Sequence, residues 1–149
     1  MFSALPWVDY FNRRILLDQI SAHVYNPFVY LFPSNDYDLE FYPTHISIGL
    51  KKSLSEILTH YYLPSGRFTD NKFVHCNDEG VPFLETRINS KLIDVLHANP
   101  VGNELDKLVP FELNGAPDHY PFGVQLNVFD CGRVAIGVCF SHKIADGLS

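Results

Sequence analysis

The apolar run Val134-Ala135-Ile136-Gly137-Val138-Cys139-Phe140 constrains this chain more than any other stretch. A strand with apolar side chains on both sides has no face to offer to water, so it predicts a central strand covered on both faces. Before it, residues 122–129 alternate Val124, Leu126 and Val128 against the polar Gln125 and Asn127, and Asp130-Cys131-Gly132 between the two runs predicts a turn. A chain built around such a pair needs further layers, and the remaining sequence has to supply them.

The clearest supplier is a helix over residues 44–62. Ile46, Leu50, Leu54, Ile57, Leu58 and Tyr61 fall on one face at spacings of three and four, with Ser47, Lys51, Ser55 and Thr59 opposite. Pro43 and Thr44 open it, Pro64 and Gly66 close it, and its apolar stripe is expected to pack on a sheet. Residues 28–32 are aromatic and β-branched and predict a buried strand ended by Pro33; residues 34–42 predict a solvated loop. Residues 72–76 and 81–88 flank Asn77-Asp78-Glu79-Gly80 and predict a hairpin, with Leu84, Thr86 and Ile88 inward and Glu85, Arg87 and Asn89 in water. Ser90 is the expected cap of a short helix that turns Leu92, Ile93 and Leu96 inward. Residues 99–121 hold Pro100, Gly102, Pro110, Gly115, Pro117 and Pro121, a density of breakers that predicts a long irregular connection, with Leu105, Leu108 and Phe111 tucked in. Residues 1–12 show no period, and residues 15–19 form a short apolar patch.

With 149 residues, 46% hydrophobic and 14% aromatic, the chain has the composition of one packed domain or of part of a larger one. A net charge of −6 and no basic cluster longer than Arg13-Arg14 or Lys51-Lys52 argue against a nucleic-acid partner. No apolar run approaches the roughly 20 residues needed to span a bilayer, and residues 1–10 lack a basic start, so neither a membrane partner nor a signal peptide is expected. Cys76, Cys131 and Cys139 form no C-x-x-C pair and leave an odd one over, which fits a reducing, cytoplasmic location.

The central strand runs directly into Ser141-His142-Lys143-Ile144-Ala145-Asp146-Gly147. An imidazole has an ordinary pKa near 6.5, so a neutral His142 at a strand end is suited to take a proton from a hydroxyl and later return it. A histidine with an aspartate four residues on is equally compatible with a structural role, which is the commoner one. Asp146 approaches His142 if a helical turn starts there; if the backbone bends, it anchors the backbone instead. Gly147 leaves room for a close approach by a ligand. The other histidines have no partner at ligand spacing, so no metal is expected. No G-x-S-x-G elbow makes Ser65 or Ser141 a nucleophile, and no phosphate-binding loop is present.

Taken together, Ile15-Leu16-Leu17-Asp18-Gln19, the helix leading into Tyr61-Tyr62-Leu63-Pro64-Ser65-Gly66-Arg67, Cys76-Asn77-Asp78-Glu79-Gly80-Val81-Pro82-Phe83, Phe129-Asp130-Cys131-Gly132 and the H-x-x-x-D-G segment at His142 resemble, in their order, the N-terminal part of a BAHD acyltransferase. This plant family moves acyl groups from coenzyme A thioesters to alcohols or amines, and the wording at Tyr61–Arg67 and at 141–146 is similar to its alkaloid-acylating branch. The resemblance implies an α/β fold: a mixed, largely antiparallel sheet with packing helices, like the N-terminal half of a chloramphenicol-acetyltransferase-like domain. It implies an acyltransferase that uses acyl-CoA, acetyl-CoA foremost, and no metal to acylate a hydroxyl of a small-molecule alcohol in specialised metabolism. His142 is then the general base, Asp146 supports the motif's backbone, and the full-length form is a monomer.

Three departures stand beside the resemblance: residues 1–12 do not match the family's start, Leu63-Pro64 inverts the usual order, and residues 1–149 form a partial N-terminal domain that stops just after the motif. The resemblance implies that most coenzyme A contacts come from the family's second domain, which is not among residues 1–149. The alternative expectation is a truncated, non-catalytic fragment or pseudoenzyme that acts at most by binding a partner. A condensation domain is disfavoured, because Ser141 stands where that family has a second histidine.

Overall fold

The computed structural model describes residues 13–14, 24–32, 42–69, 73–97, 103–111 and 119–144. The expected central strand is β7, Val134–Ser141, which sits between β2, Tyr25–Phe32, and β6, Phe122–Phe129; β5, Phe83–Ile88, completes the order β2-β7-β6-β5. β7 pairs antiparallel with both neighbours, and β6 pairs parallel with β5. A second sheet has the order β1-β4-β3, with β1 at Arg13–Arg14, β4 at Phe73–His75 and β3 at Arg67–Thr69, all antiparallel. The fold is mixed α/β and largely antiparallel, as expected.

The β6–β7 turn forms where the sequence places it. Gly132 has φ +75°, a left-handed conformation that suits glycine, and its N–H donates to the Phe129 carbonyl at 2.8 Å.

The hairpin expected between 72–76 and 81–88 does not form. β4 joins the small sheet and β5 the large one, so residues 76–82 pass from one sheet to the other. The turn chemistry there is real, with Asp78 at φ 56° and Gly80 at φ 85°, but a local turn does not dictate which strands it joins. Because β5 and β6 are parallel, their connection has to cross a face of the sheet. The connection from β5 to β6 carries α2, Leu92–His97, and α3, Asn103–Asp106, and only α3 falls in the breaker-rich stretch.

The crossover builds the core on one face of the large sheet. Leu92 and Leu108 pack with Phe129 and Ala135, joined by Val29, Leu31, Ile88, Val95 and Leu105. Val109 and Phe111 pack with Tyr25 and Cys139. Leu105, Leu108 and Phe111 thus tuck in as expected. In α2 the inward residues are Leu92 and Val95, while Ile93 and Leu96 stay exposed. The Lys91 carbonyl accepts the first helical hydrogen bonds, which puts the cap position one residue past Ser90.

Polar groups are also buried on this face. Gln125 and Asn127 alternate with apolar neighbours as expected, yet Asn127 is 0% exposed. Its amide donates to the Leu108 carbonyl at 2.8 Å, and the Gln125 amide donates to the Lys107 carbonyl at 2.9 Å and to Asn127 Oδ1 at 2.7 Å. These side chains satisfy the carbonyls of Lys107 and Leu108, just past the end of α3, so the polar residues hold the crossover to the sheet.

Helix α1, Tyr42–His60, starts and ends two residues before the expected bounds. It lies on the other face, over the β5 edge, where Ser47 and Lys51 both donate to Glu85. Ile46, Leu50, Leu54 and Leu58 are half-buried, but Ile57 is exposed and Tyr61 is 68% exposed, so only part of the stripe is covered. Strand β2 is an edge strand whose Phe28, Tyr30 and Phe32 are exposed, in contrast to the buried strand expected at 28–32. Residues 15–19, 34–41 and 1–12 lie outside the described residues.

Candidate functional site

β7 ends at Ser141, which is buried and donates its N–H to the Pro121 carbonyl at 2.8 Å. The chain then leaves the strand. The His142 N–H donates to the Val24 carbonyl at 2.9 Å, and the Ile144 N–H donates to the Ser141 carbonyl at 3.0 Å, closing a tight turn. The Lys143 N–H donates to Ser141 Oγ at 3.3 Å. His142, half-buried, is therefore held through its own backbone at the end of the most central strand. That placement gives a proton acceptor a fixed position.

All four backbone N–H groups from Ser141 to Ile144 are used inside this arrangement. An oxyanion formed near the imidazole has to find its donors outside the turn. Ser141 serves as a backbone fastener, its Oγ accepting from the Lys143 N–H and its carbonyl from the Ile144 N–H. Asp146 and Gly147 lie outside the described residues.

Around the turn stand side chains brought from distant parts of the sequence. The Tyr25 hydroxyl donates to the Tyr120 carbonyl at 2.7 Å, and Phe111 stacks on the Tyr120 ring with centroids 6.0 Å apart. On that ring lies the Arg67 guanidinium, 4.5 Å from the centroid. Arg67 also donates to the carbonyls of Gly66 and Gly80, at 2.7 and 2.8 Å, and pairs with Glu79 at 3.1 Å. Next in sequence, Phe68 donates its N–H to the His119 carbonyl at 3.0 Å, and its ring lies 5.6 Å below the Lys143 ammonium. The stretch from Tyr61 to Arg67 is thus joined to the His142 turn through β3. Sequence reasoning missed Arg67 and Lys143 as members of one neighbourhood. The available signal was a cation inside each of two of the motifs that carry the resemblance.

Two thiols lie along β7, Cys139 near its His142 end and Cys131 in the turn before its start. Burial pushes the Cys139 thiol up to about 11, so it stays neutral packing material. Cys131, in the β6–β7 turn, is lowered: partial burial opposes ionisation, but the N–H groups of Leu92, Arg133 and Cys131 itself, with the Arg133 charge, outweigh it. Among the described residues no group of three His, Cys, Asp or Glu side chains is placed to hold a metal ion, and no helix is long and apolar enough to cross a membrane.

An open mixed sheet with a histidine turn at the end of its central strand places the molecule in the chloramphenicol-acetyltransferase-like class. A TM-score of 0.65 relates it to TRI101 of F. sporotrichioides, solved with coenzyme A and T-2; at 18% identity, over 91% of this chain and 36% of that one, the likeness is one of fold. Residues 15–149 match the Transferase family, and the chain belongs to that family, the BAHD acyltransferases. It is 41% identical to stemmadenine O-acetyltransferase of Catharanthus roseus and 39% identical to vinorine synthase of Rauvolfia serpentina, each over 89% of this chain and 32% of the relative. The crystal structure of vinorine synthase superposes with a TM-score of 0.81 at 36% identity, over 99% of this chain and 37% of that one. The chain spans about a third of the length of the relatives it matches.

Proposed function

We propose that this chain is the N-terminal part of an acyltransferase that moves an acyl group, acetyl foremost, from acyl-CoA to a hydroxyl of a plant specialised metabolite, with His142 as general base. The observation that carries the reading is the backbone-anchored His142 at the end of β7, inside a chain that matches the Transferase family over residues 15–149. The names of the relatives, stemmadenine O-acetyltransferase among them, support the acetyl group and a hydroxyl acceptor.

A neutral imidazole nitrogen takes the hydroxyl proton as the acceptor oxygen attacks the thioester carbonyl carbon. The tetrahedral adduct collapses with cleavage of the carbon–sulfur bond, and the imidazolium returns the proton to the departing thiolate. Atoms and charge balance without a metal. The family resemblance assigns Asp146 to support of the motif's backbone and Gly147 to a place near the channel. The same reading makes the protein a cytoplasmic monomer in its full-length form, with no nucleic-acid or membrane partner, and leaves residues 1–149 alone inactive because the family's second domain supplies most of the coenzyme A contacts.

His142→Ala in the transferase that carries this chain is expected to lower turnover by about 10²–10⁴-fold, the usual contribution of a positioned acid–base group, with the melting temperature unchanged. Coenzyme A release measured with a thiol reagent reads the loss. Undiminished turnover would remove the base from His142, whereas no coenzyme A release from the unsubstituted protein would leave the non-catalytic binding reading, which the exposed Phe28, Tyr30 and Phe32 favour.

A further inference from the structure

Lys143 is an unusual neighbour for His142. Its side chain belongs to a long, strongly hydrated cation, yet the residue is only 6% exposed. Moving an ammonium out of water is costly unless something takes the place of the lost hydration. The Phe68 ring, 5.6 Å from Nζ, offers its negative face to that charge. Phe68 is itself fixed, with its N–H bonded to the His119 carbonyl and its strand paired to β4. The preceding Arg67 is fixed on the Tyr120 ring. The contact therefore runs from the small sheet to the turn at the end of the large sheet's central strand, and it reaches that turn one residue from the imidazole.

We infer that Lys143, through Phe68, is a positioning residue for His142. The backbone hydrogen bonds hold the turn to Val24, Pro121 and Ser141, all at the large sheet. The Lys143 side chain adds an attachment to the small sheet, so the turn is held from two directions and the imidazole keeps one orientation. The inference rests on His142 being the base. It gives Phe68, just beyond the Tyr61–Arg67 stretch, a mechanical share in the chemistry without contact with substrate. Errors of about 1 Å in placing a reacting group cost up to roughly 100-fold in rate, so a loosened turn acts on turnover more than on binding.

In the transferase that carries this chain, Lys143→Met keeps the stem and removes the charge, and Phe68→Leu removes the ring. Each is expected to lower kcat by about ten- to a hundredfold while KM for both substrates stays within about twofold. The double variant is expected to be no worse than either single one, since the two residues act as a unit. Lys143→Arg and Phe68→Tyr, which restore a cation over an aromatic face, are expected to recover most of kcat. Hydrogen exchange at the His142 amide provides the readout independent of chemistry: faster in Lys143→Met and Phe68→Leu, and restored in Lys143→Arg and Phe68→Tyr.

Unchanged kcat and unchanged exchange in Lys143→Met, or additive losses in the double variant, overturn the inference and leave the base assignment untouched. Full turnover in His142→Ala removes the base while the exchange result still stands. If Lys143→Met fails to fold, the Phe68→Leu and Phe68→Tyr pair decides by the same readouts.

Discussion

Gly137 lies where the Leu108 carbonyl crosses β7: a Cβ built there would sit 1.8 Å from that oxygen, a backbone atom that has no room to move aside. Gly137→Ala is expected to destabilise the fold by about 3 kcal/mol or more, at the upper end of overpacking costs, seen as a lower midpoint in urea. Gly49 is the control. It lies in α1 with nothing within 4 Å of a built Cβ, so Gly49→Ala is expected to be neutral or stabilising by roughly 0.5–1 kcal/mol. Both are glycines within regular elements, and sequence does not separate them, because the difference lies in a backbone 29 residues away. The same holds for Asn127: alternation made it one of the polar partners in the strand, while only the passage of Leu108 over it explains its burial.

At the scale of elements, α1 is attached to the sheet through a polar contact. Hydrogen bonds from Lys51 and then Ser47 hold the Glu85 carboxyl below its ordinary value of 4.5. A carboxyl depressed in the folded state contributes stability that is present above its unfolded value and is lost as pH falls through the folded one. The docking of α1 on β5 is therefore expected to loosen below about pH 4.5, with faster hydrogen exchange in α1, and Glu85→Gln is expected to remove that acid dependence. Because Glu85 is largely exposed, the effect on global stability is small. Periodicity identified this helix, and it placed Ser47 on the side away from the apolar stripe, yet Ser47 is buried. The period finds an apolar face; which face meets the neighbour depends on what the neighbour presents, here the Glu85 carboxylate.

Over the whole molecule, the two faces of the large sheet are covered unequally. The crossover fills one face, and on the other Phe28, Tyr30 and Phe32 stay open beyond the reach of α1, with Phe28 stacked on Phe140 at 5.5 Å. Such a patch binds apolar probes. The 149-residue chain is expected to enhance the fluorescence of an anilinonaphthalene dye, and the double substitution Phe28→Ser, Tyr30→Lys is expected to reduce that signal at least twofold without lowering the melting temperature by more than about 5 °C, because exposed positions contribute little to the core. An unchanged signal would place the dye elsewhere.

Sequence by itself determined the elements and the motif: the apolar run that became β7, the turn at Gly132, the helix at α1, and a histidine at a strand end within an ordered set of family motifs. These depend on periods, turn chemistry and local order along the chain, which a one-dimensional string carries in full. Only the tertiary structure decided the partners: that β4 and β5 belong to different sheets, that β5 runs parallel to β6, that Asn127 is buried, and that Lys143 meets Phe68 across 75 residues. Partner choice is a competition among contacts far apart in sequence, settled by which arrangement buries the most apolar surface while leaving the fewest polar groups unpaired.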